Sequence, residues 1–320
     1  MSKIINQHYV PQFYLRNFSN NGENIWVYDK FNNNKFHPNV KNVACERFFY
    51  DVSDIDSAAG VDQFMEKYFY PLEESTKTVI DEICESIKRK NFSRLNSEQR
   101  ISLAQYIALQ YMRTKESRNR IIELYEKFIE ESFRNYIKLK NSDLADAKFE
   151  IGIKKTMEAT LHSTALLDYD HLQTISHIIY NHIWVLFENS TPIPLYTSDH
   201  PIVKHNHPKQ PIRIRYGFGS GGIEIAFPIS PSCMISIFER KSYEKLRSFD
   251  GTLFIIKDPE NIIYYNSLQV KDSYKYIFSI QPDFDLAASM CKEQPELCDP
   301  DRKRVVVETL SNDIKIRIVR

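Results

Sequence analysis

The fold is decided by residues 97–138, SEQRISLAQYIALQYMRTKESRNRIIELYEKFIEESFRNYIK. This stretch contains neither glycine nor proline, and its apolar residues recur at intervals of three and four. Such spacing predicts an amphipathic helix, and Asn96 or Ser97 is a residue type that commonly caps a helix N-terminus. We therefore predict either two helices that meet near residues 113–116 or one long bent helix.

The helical spacing extends in both directions and predicts a helical block over residues 61–190. Pro71 is expected to separate two helices, because proline removes a backbone donor and clashes with the preceding turn. Asp143 is a candidate cap for a further helix, and Asp170 is expected to start another that continues through HLQTISHIIYNHIWVLFEN.

From residue 191 the apolar period changes to two, which is typical of strands. The strand candidates are residues 193–198, 212–216, 223–229, 233–238, 252–256 and 276–280, followed by a hairpin over 303–319. In the N-terminal part, HYVPQFYLRNF (residues 8–18) predicts a short helix after Pro11, and residues 24–40 predict two strands around an asparagine-rich turn.

The sequence thus predicts an α+β protein in which a central helical block is flanked by a small N-terminal β hairpin and a C-terminal, mostly antiparallel β region. We divide the chain into residues 1–60 (signature segment and hairpin), 61–190 (helical region) and 191–320 (β-rich region). The β-rich region is expected to form one unit with the N-terminus.

Composition excludes several classes of protein. The 320 residues include 42 basic and 42 acidic side chains, so the overall charge does not indicate a nucleic-acid coat protein. No apolar run is long enough to span a membrane, and the first residues lack the apolar stretch of a signal peptide. Five cysteines without a CxxC pair favour reduced thiols. We therefore expect a cytoplasmic protein with no membrane partner.

The stretch LYTSDHPIV, residues 195–203, places Thr197, Ser198 and Asp199 where a strand meets a loop, which is a common position for catalytic groups. Asp199 could act as a base, or it could bind a divalent metal together with nearby histidines at 200, 205 and 207. The alternative is a structural turn, in which Asp199 accepts hydrogen bonds from the backbone just before Pro201.

The stretch QYMRTKESR, residues 110–118, places Gln110, Thr114 and Arg118 on one stripe of a helix with Arg113 beside it. An arginine there could clamp a carboxylate or a phosphate with two parallel hydrogen bonds. The alternative is a solvated helix face with an internal salt bridge between Glu116 and Arg120.

The stretch RIRYGFGSGGIE, residues 213–224, holds four of the chain's eight glycines. Its backbone N–H groups could approach a phosphate beside Arg213 and Arg215, although a mobile hairpin loop fits the pattern better. Glu224 follows, and an Asp199–Glu224 pair would resemble the strand-borne carboxylates of nucleases. The lysine expected two residues after such a glutamate is Ala226 here, which weakens that hypothesis.

The opening stretch combines an apolar anchor with three polar residues, His8, Gln12 and Arg16. His8 precedes a predicted helix N-terminus, whose dipole disfavours the imidazolium form, so a neutral imidazole there could be a base or a ligand. We hypothesise that His8, Arg113 and Asp199 line a common pocket. The alternative is that the three motifs are separate structural supports.

The segments HYVPQFYLRNF, IALQYMRT, YTSDHPI, FPISP and NSLQV with YIFS together resemble a bacterial family of unknown function that is marked by an HxVPxxYLxxF opening. The resemblance covers nearly the whole chain and implies an intracellular bacterial or phage-associated protein. The motif positions are His8, Pro11, Gln12, Arg16, Gln110, Arg113, Thr197, Ser198, Asp199 and Pro201. The resemblance implies no established activity.

Two classes of function follow from these residues. The first is a hydrolase or nuclease acting on a phosphate-containing substrate, with His8, Asp199 and Glu224 as catalytic residues and a divalent metal as candidate cofactor. Its substrate-binding residues would be Gln12, Arg16, Gln110, Arg113, Thr197 and Ser198. The second is a non-catalytic module that recognises a nucleotide, nucleic acid or protein partner. A role in host defence or as a toxin would fit either class.

Overall fold

The computed structural model of the protein describes residues 3–140, 151–207, 217–310 and 313–318. The N-terminal part consists of short strands and two short helices. Strand β1 (Asn6–His8) pairs antiparallel with β4 (Cys45–Arg47), and β2 (Trp26–Asp29) pairs antiparallel with β3 (Asn34–Phe36). Helix α1 (Gln12–Arg16) begins after Pro11 and buries Tyr14 and Leu15, and α2 (Ser53–Ala59) follows β4. The predicted N-terminal hairpin is therefore present.

Five helices form the central block. They are α3 (Phe64–Lys88), α4 (Ser97–Arg113), α5 (Lys115–Leu139), α6 (Lys155–Leu166) and α7 (Tyr169–Tyr180). The prediction that Pro71 separates two helices was wrong, because α3 runs through it. Met65 and Phe69 before the proline and Ile80 and Ile83 after it are all buried. Their burial, at about 1.5–3 kcal/mol each, offsets the roughly 3 kcal/mol that an interior proline costs.

The junction between α4 and α5 follows the prediction of two helices that meet near residue 114. Asn96 accepts a hydrogen bond from the Gln99 N–H, and the Gln99 side chain reaches back to the Asn96 N–H, which forms a capping box at the start of α4. At the other end, Thr114 has an extended backbone and caps α5 by accepting a hydrogen bond from the Ser117 N–H.

The prediction that helix continues to residue 190 was wrong. Helix α7 is capped by Asp168, not Asp170, and ends at Tyr180, and residues Ile183–Asn189 form strand β5. β5 pairs with a strand on each side, so its backbone N–H and C=O groups are satisfied within a sheet. Its first four residues are all buried, as is typical of a central strand.

Two sheets organise the C-terminal region. The larger has the strand order β10-β5-β9-β8-β7 and is antiparallel except where β10 pairs with β5. The smaller has the order β3-β2-β11-β6, so strands from both ends of the chain share one sheet. The strand bounds are β6 (Thr197–Ser198), β7 (Val203–Asn206), β8 (Ile223–Ser230), β9 (Cys233–Phe238), β10 (Thr252–Ile256) and β11 (Tyr276–Ser279).

Two further helices interrupt the β region, and the period-two pattern did not predict them. They are α8 (Pro259–Asp272), which Asp258 caps, and α9 (Asp285–Glu293). The predicted hairpin near the end of the chain is present as β12 (Val305–Leu310) and β13 (Asp313–Ile318). The candidate cap Asp143, the strand candidate 212–216, and Arg213 and Arg215 lie outside the described residues.

Helix α4 runs from the protein surface into the core. Every residue from Tyr106 to Arg113 is buried, whereas Ser97 at its other end is exposed. Among the helices that the structure describes, none combines the length and the apolar character needed to cross a membrane.

Candidate functional site

Asp199 fastens the start of β11. One carboxylate oxygen accepts a hydrogen bond from the Tyr274 N–H, and the other accepts one each from the N–H groups of Lys275 and Tyr276, all at 2.8 Å. Burial raises the pKa of Asp199 to about 6, although these N–H groups and the nearby ammonium of Lys30 act in the opposite direction. Asp199 thus accepts backbone hydrogen bonds, as the structural alternative predicts. The donors, however, belong to a segment that is distant in sequence and not to its own turn.

The neighbours of Asp199 are also bonded to protein atoms. The Thr197 hydroxyl lies 2.6 Å from the hydroxyl of Tyr14, which donates to the carbonyl of Pro228 at 2.6 Å. The Ser198 hydroxyl donates to Gln269 Oε1 at 2.7 Å. Both Thr197 and Ser198 are fully buried, so the predicted substrate contacts would require these bonds to open.

Glu224 belongs to a separate polar group. Its carboxylate accepts hydrogen bonds from the hydroxyls of Tyr265 at 2.7 Å and Tyr264 at 3.1 Å, and it lies 3.0 Å from His207 Nε2. Among the described residues, the hydrogen-bond partners given above for Glu224 differ from those of Asp199. Within the described ranges, no three His, Cys, Asp or Glu side chains are grouped so that they could hold a metal ion. The hypothesis of an Asp199–Glu224 pair stays a prediction, since both carboxylates are already occupied by separate sets of protein partners.

The glycine segment is packed where the structure describes it. Phe218 is buried against the Tyr111 ring, with centroids 4.9 Å apart, and its carbonyl lies 2.8 Å from His182 Nε2. Gly222 has a φ of +79°, and a Cβ there would lie 2.9 Å from the His207 carbonyl oxygen. Contacts of Phe218 and the close approach at Gly222 thus hold the turn over residues 217–222 in place, which argues against a role as a ligand-gated loop.

The predicted stripe on the central helices also faces protein. Gln110 donates to the carbonyl of Tyr9 at 3.0 Å, the Thr114 hydroxyl lies 2.6 Å from His200 Nδ1, and Arg118 packs over the Phe49 ring at 3.4 Å. The internal salt bridge is present, with Arg120 Nε 3.4 Å from Glu116 Oε1. The predicted solvated face was wrong, because Glu116 is buried.

His8 and Arg113 do lie together, and Gln12 lies with them, in a cavity of about 360 Å³ between β1, α1, α3 and the C-terminal end of α4. We call it the acidic cavity. It is lined by Ile4, Asn6, His8, Pro11, Gln12, Phe13, Glu66, Tyr70, Glu73, Glu74, Lys77 and Arg113. Asp199 and Arg16 are not among its lining residues. Arg16 instead donates to the Gly22 carbonyl and, at 3.4 Å, to Gln12.

Arg113 is almost completely buried, with 2% of its side chain exposed. Its guanidinium donates one hydrogen bond to Glu73 and another, of 2.8 Å, to the carbonyl of His8. It also lies over the Phe69 ring, 4.2 Å from the centroid. These contacts compensate for the loss of water around the charge and hold β1 against α4.

The surroundings of His8 favour the neutral imidazole, but for a reason other than the expected one. Burial lowers the pKa of His8, the charge of Arg113 lowers it further, and the carbonyl of Val40 acts in the opposite direction. The helix dipole was the expected cause, but α1 has only five residues. His8 Nε2 is buried and has no hydrogen-bond partner in the part of the chain that the structure describes.

Glu66 is the cavity residue that sequence reasoning missed. Burial raises the pKa of Glu66 to about 7; Arg113 opposes this shift, while Glu73 and Asp51 add to it. Its Oε1 is buried and has no partner among the described residues. Positions 66, 70, 73, 74 and 77 are polar or tyrosine and share one face of α3 at helical spacing, a pattern that marks a polar face but does not show that Glu66 is covered.

The chain belongs to the family described as "Protein of unknown function (DUF4238)", which matches residues 6–283. This match confirms the expectation of a family without an assigned activity. No curated protein and no solved structure matches the chain. The function must therefore be inferred from the cavities themselves.

Proposed function

We propose that the protein is a hydrolase whose site is the acidic cavity, with His8 as the general base and Glu66 as the general acid. One observation supports this most strongly: His8 Nε2 and Glu66 Oε1 are both buried and without partners in the described residues, and both residues line one cavity. Buried polar atoms are normally satisfied, so two such atoms in one cavity suggest bonds that a ligand completes.

The two pKa shifts suit opposite roles in proton transfer. The lowered pKa of His8 favours the neutral imidazole, and that form can accept a proton from an attacking water. A carboxyl with a pKa of about 7 is protonated in a substantial fraction of molecules at neutral pH, so it can donate a proton to the leaving group. Arg113 would act as a positioning residue, since it holds the His8 carbonyl and Glu73.

The charges around the cavity bear on the class of substrate. Glu66, Glu73 and Glu74 face one lysine and one arginine, and that arginine is already paired with Glu73. With Glu66 protonated as the general acid, Glu73 and Glu74 balance Arg113 and Lys77, so the lining has no excess positive charge for a phosphate dianion and favours an uncharged polar substrate. The phosphate-containing substrate predicted from the sequence, for example a nucleic acid, is the competing class. Its binding would depend on the charge of Lys77.

Hydrolysis assays with a panel of esters, amides, glycosides and phosphate esters test the proposal. For any substrate that the wild type cleaves, we expect His8→Gln and Glu66→Gln each to lower kcat/KM by about 100-fold or more. The matched control is His171→Gln, which replaces an exposed histidine on α7.

The pH profile separates the two roles. Activity of the wild type should fall on the acid side as His8 becomes protonated, and on the alkaline side as Glu66 loses its proton near pH 7. Glu66→Gln should abolish the alkaline limb. Unchanged rates in both variants would refute the site, and ligand binding without turnover would favour the recognition module.

A bacterial host-defence or toxin role, which would fit either class of function, remains a prediction. Bacteria that express the wild type should then differ, in growth or in survival of phage infection, from bacteria that express His8→Gln at equal protein levels. Equal behaviour of the two cultures would count against a role that depends on the acidic cavity.

A further inference from the structure

A second cavity, of about 500 Å³, lies at the N-terminal end of α4. Four of its lining residues are arginines, Arg94, Arg100, Arg240 and Arg247, and Asp250 is the only carboxylate among the described residues that line it. We call it the arginine cavity. None of the candidate catalytic or binding residues from the sequence lines it, and the acidic cavity shares none of its residues.

Asp250 is already used to hold two of the arginines. Its oxygens accept hydrogen bonds from Arg100 at 2.6 and 3.3 Å and from Arg240 at 3.2 Å. It also accepts one from the Trp184 N–H at 2.9 Å. The side chain of Arg100 is only 15% exposed, so this part of the cavity is a prearranged pair of guanidinium groups.

The charge of the other two arginines is not balanced inside the cavity. Arg94 has no carboxylate within ion-pair distance among the described residues. Arg247 meets only Glu244, at 3.4 Å, and 62% of its side chain is exposed. The cavity therefore carries a clear excess of positive charge, and two of its guanidinium groups can turn towards a ligand.

A glycine lets the chain bring Arg94 to the cavity. Gly251 has a φ of +79°, and a Cβ there would lie 2.8 Å from Cγ of Arg94. The Gly251 carbonyl accepts a hydrogen bond of 3.0 Å from the Leu95 N–H, which ties the segment before α4 to the turn after Asp250. The two segments that carry the arginines are thus fixed to each other.

The start of α4 adds to the positive potential. Ser97, the first residue of this 17-residue helix, lines the cavity. The helix dipole places partial positive charge at that end. The dipole alone would not define a site, but here it coincides with four arginines around one cavity.

We propose that the arginine cavity binds the phosphate group of a small molecule. Guanidinium groups match phosphate oxygens through paired, charge-assisted hydrogen bonds, and two of the four are already oriented. Tyr180 and Leu95 also line the cavity and can contact the organic part of the ligand. The site is independent of the proposed hydrolase: Arg100 and Arg113 are separated by thirteen residues of α4, or roughly 20 Å.

Calorimetric titration of the full chain at low ionic strength, with inorganic phosphate and with pyrophosphate, tests this proposal. We expect pyrophosphate to bind more tightly than phosphate, because it can engage more of the arginines. Arg94→Gln combined with Arg247→Gln should weaken pyrophosphate binding by about 100-fold, or about tenfold for each arginine. Both replaced side chains are exposed, so the fold should be retained, which thermal unfolding would verify.

The matched control is Arg89→Gln, which removes an arginine that is 72% exposed and outside the cavity. It should bind pyrophosphate like the wild type. Binding of adenosine monophosphate and of ribose 5-phosphate then distinguishes the two sources of the phosphate. If adenosine monophosphate binds more tightly than ribose 5-phosphate, and Tyr180→Leu removes the difference, the ligand is a nucleotide. If the two compounds bind with equal affinity, the ligand is a sugar phosphate. Absence of phosphate and pyrophosphate binding, or equal binding by the double variant and the control, would overturn the proposal.

Discussion

Arginines lie near both ends of helix α4, but in opposite circumstances. At the N-terminal end, Arg94 and Arg247 are exposed, and the cavity between them holds a single carboxylate, already bound to Arg100 and Arg240. At the C-terminal end, Arg113 is buried and paired with Glu73, in a cavity with more carboxylates than cations. At the N-terminal end the charge of two arginines is thus available to a ligand. At the C-terminal end protein groups compensate the charge of Arg113.

Burial is the physical reason for the difference. A buried guanidinium loses its hydration, so it persists only where protein groups replace the water; for Arg113 these are Glu73, the His8 carbonyl and the Phe69 ring. An exposed guanidinium keeps its hydration and needs no internal partner. An arginine motif in a sequence therefore does not by itself indicate an anion site.

The largest expected effect is on stability at the buried end. Arg113→Met should lower the free energy of unfolding by about 3–5 kcal/mol, because it leaves Glu73 without its partner and the His8 carbonyl without a donor. Urea unfolding measures this, with Arg89→Met as the exposed control. A loss below about 1 kcal/mol, the range of surface ion pairs, would show that the two ends do not differ as described.

An intermediate effect should appear in the pH dependence of stability. The pKa of Glu66 is about 7 in the folded protein against an ordinary 4.5, so the folded state binds the proton more tightly than the unfolded state. The contribution of Glu66 to the free energy of unfolding is fully present below pH 4.5 and is lost as the pH rises through 7. The loss should be on the order of 3 kcal/mol.

Glu66→Gln stays uncharged and should lack this part of the pH dependence, which denaturant unfolding at several pH values measures. Glu293→Gln, at an exposed position, should retain the wild-type slope. If Glu66→Gln also retains that slope, the carboxyl is not desolvated in the acidic cavity.

The smallest expected effect is on stability at the exposed end. Arg94→Gln should change the free energy of unfolding by less than about 0.5 kcal/mol, because the side chain is exposed and has no carboxylate partner within the described residues. Pyrophosphate should raise the melting temperature of the wild type more than that of this variant. A large intrinsic loss of stability would mean that Arg94 is a structural residue like Arg113.

Much of the fold was predictable because it depends on local patterns. The capping box of Asn96 and Gln99, the break at Thr114 and the strand pair around the asparagine-rich turn all involve residues close in sequence. The errors occurred where distant packing outweighs local preference. Pro71 is tolerated because the apolar face of α3 is buried on both sides of it, and β5 is a strand because β9 and β10 pair with it.

The candidate site was predictable only in part. His8, Gln12 and Arg113 were selected for their residue types, and they do line one cavity. Asp199 was selected for the same reason, yet its carboxylate accepts hydrogen bonds from the backbone of residues 274–276. Glu66 was missed because a glutamate on a helix face is usually solvated, and nothing local indicates that this one is covered.

The sequence by itself determined the helical middle, most of the strands around it, the cap of α4 and the pairing of strands joined by short turns, because short-range periodicity and backbone hydrogen bonding set these features. The tertiary structure alone decided which polar groups are satisfied. The Arg113 guanidinium meets a carbonyl 105 positions away, and Asp199 meets N–H groups 75 to 77 positions away. Whether a charge is compensated or available depends on such distant partners and on the water they exclude.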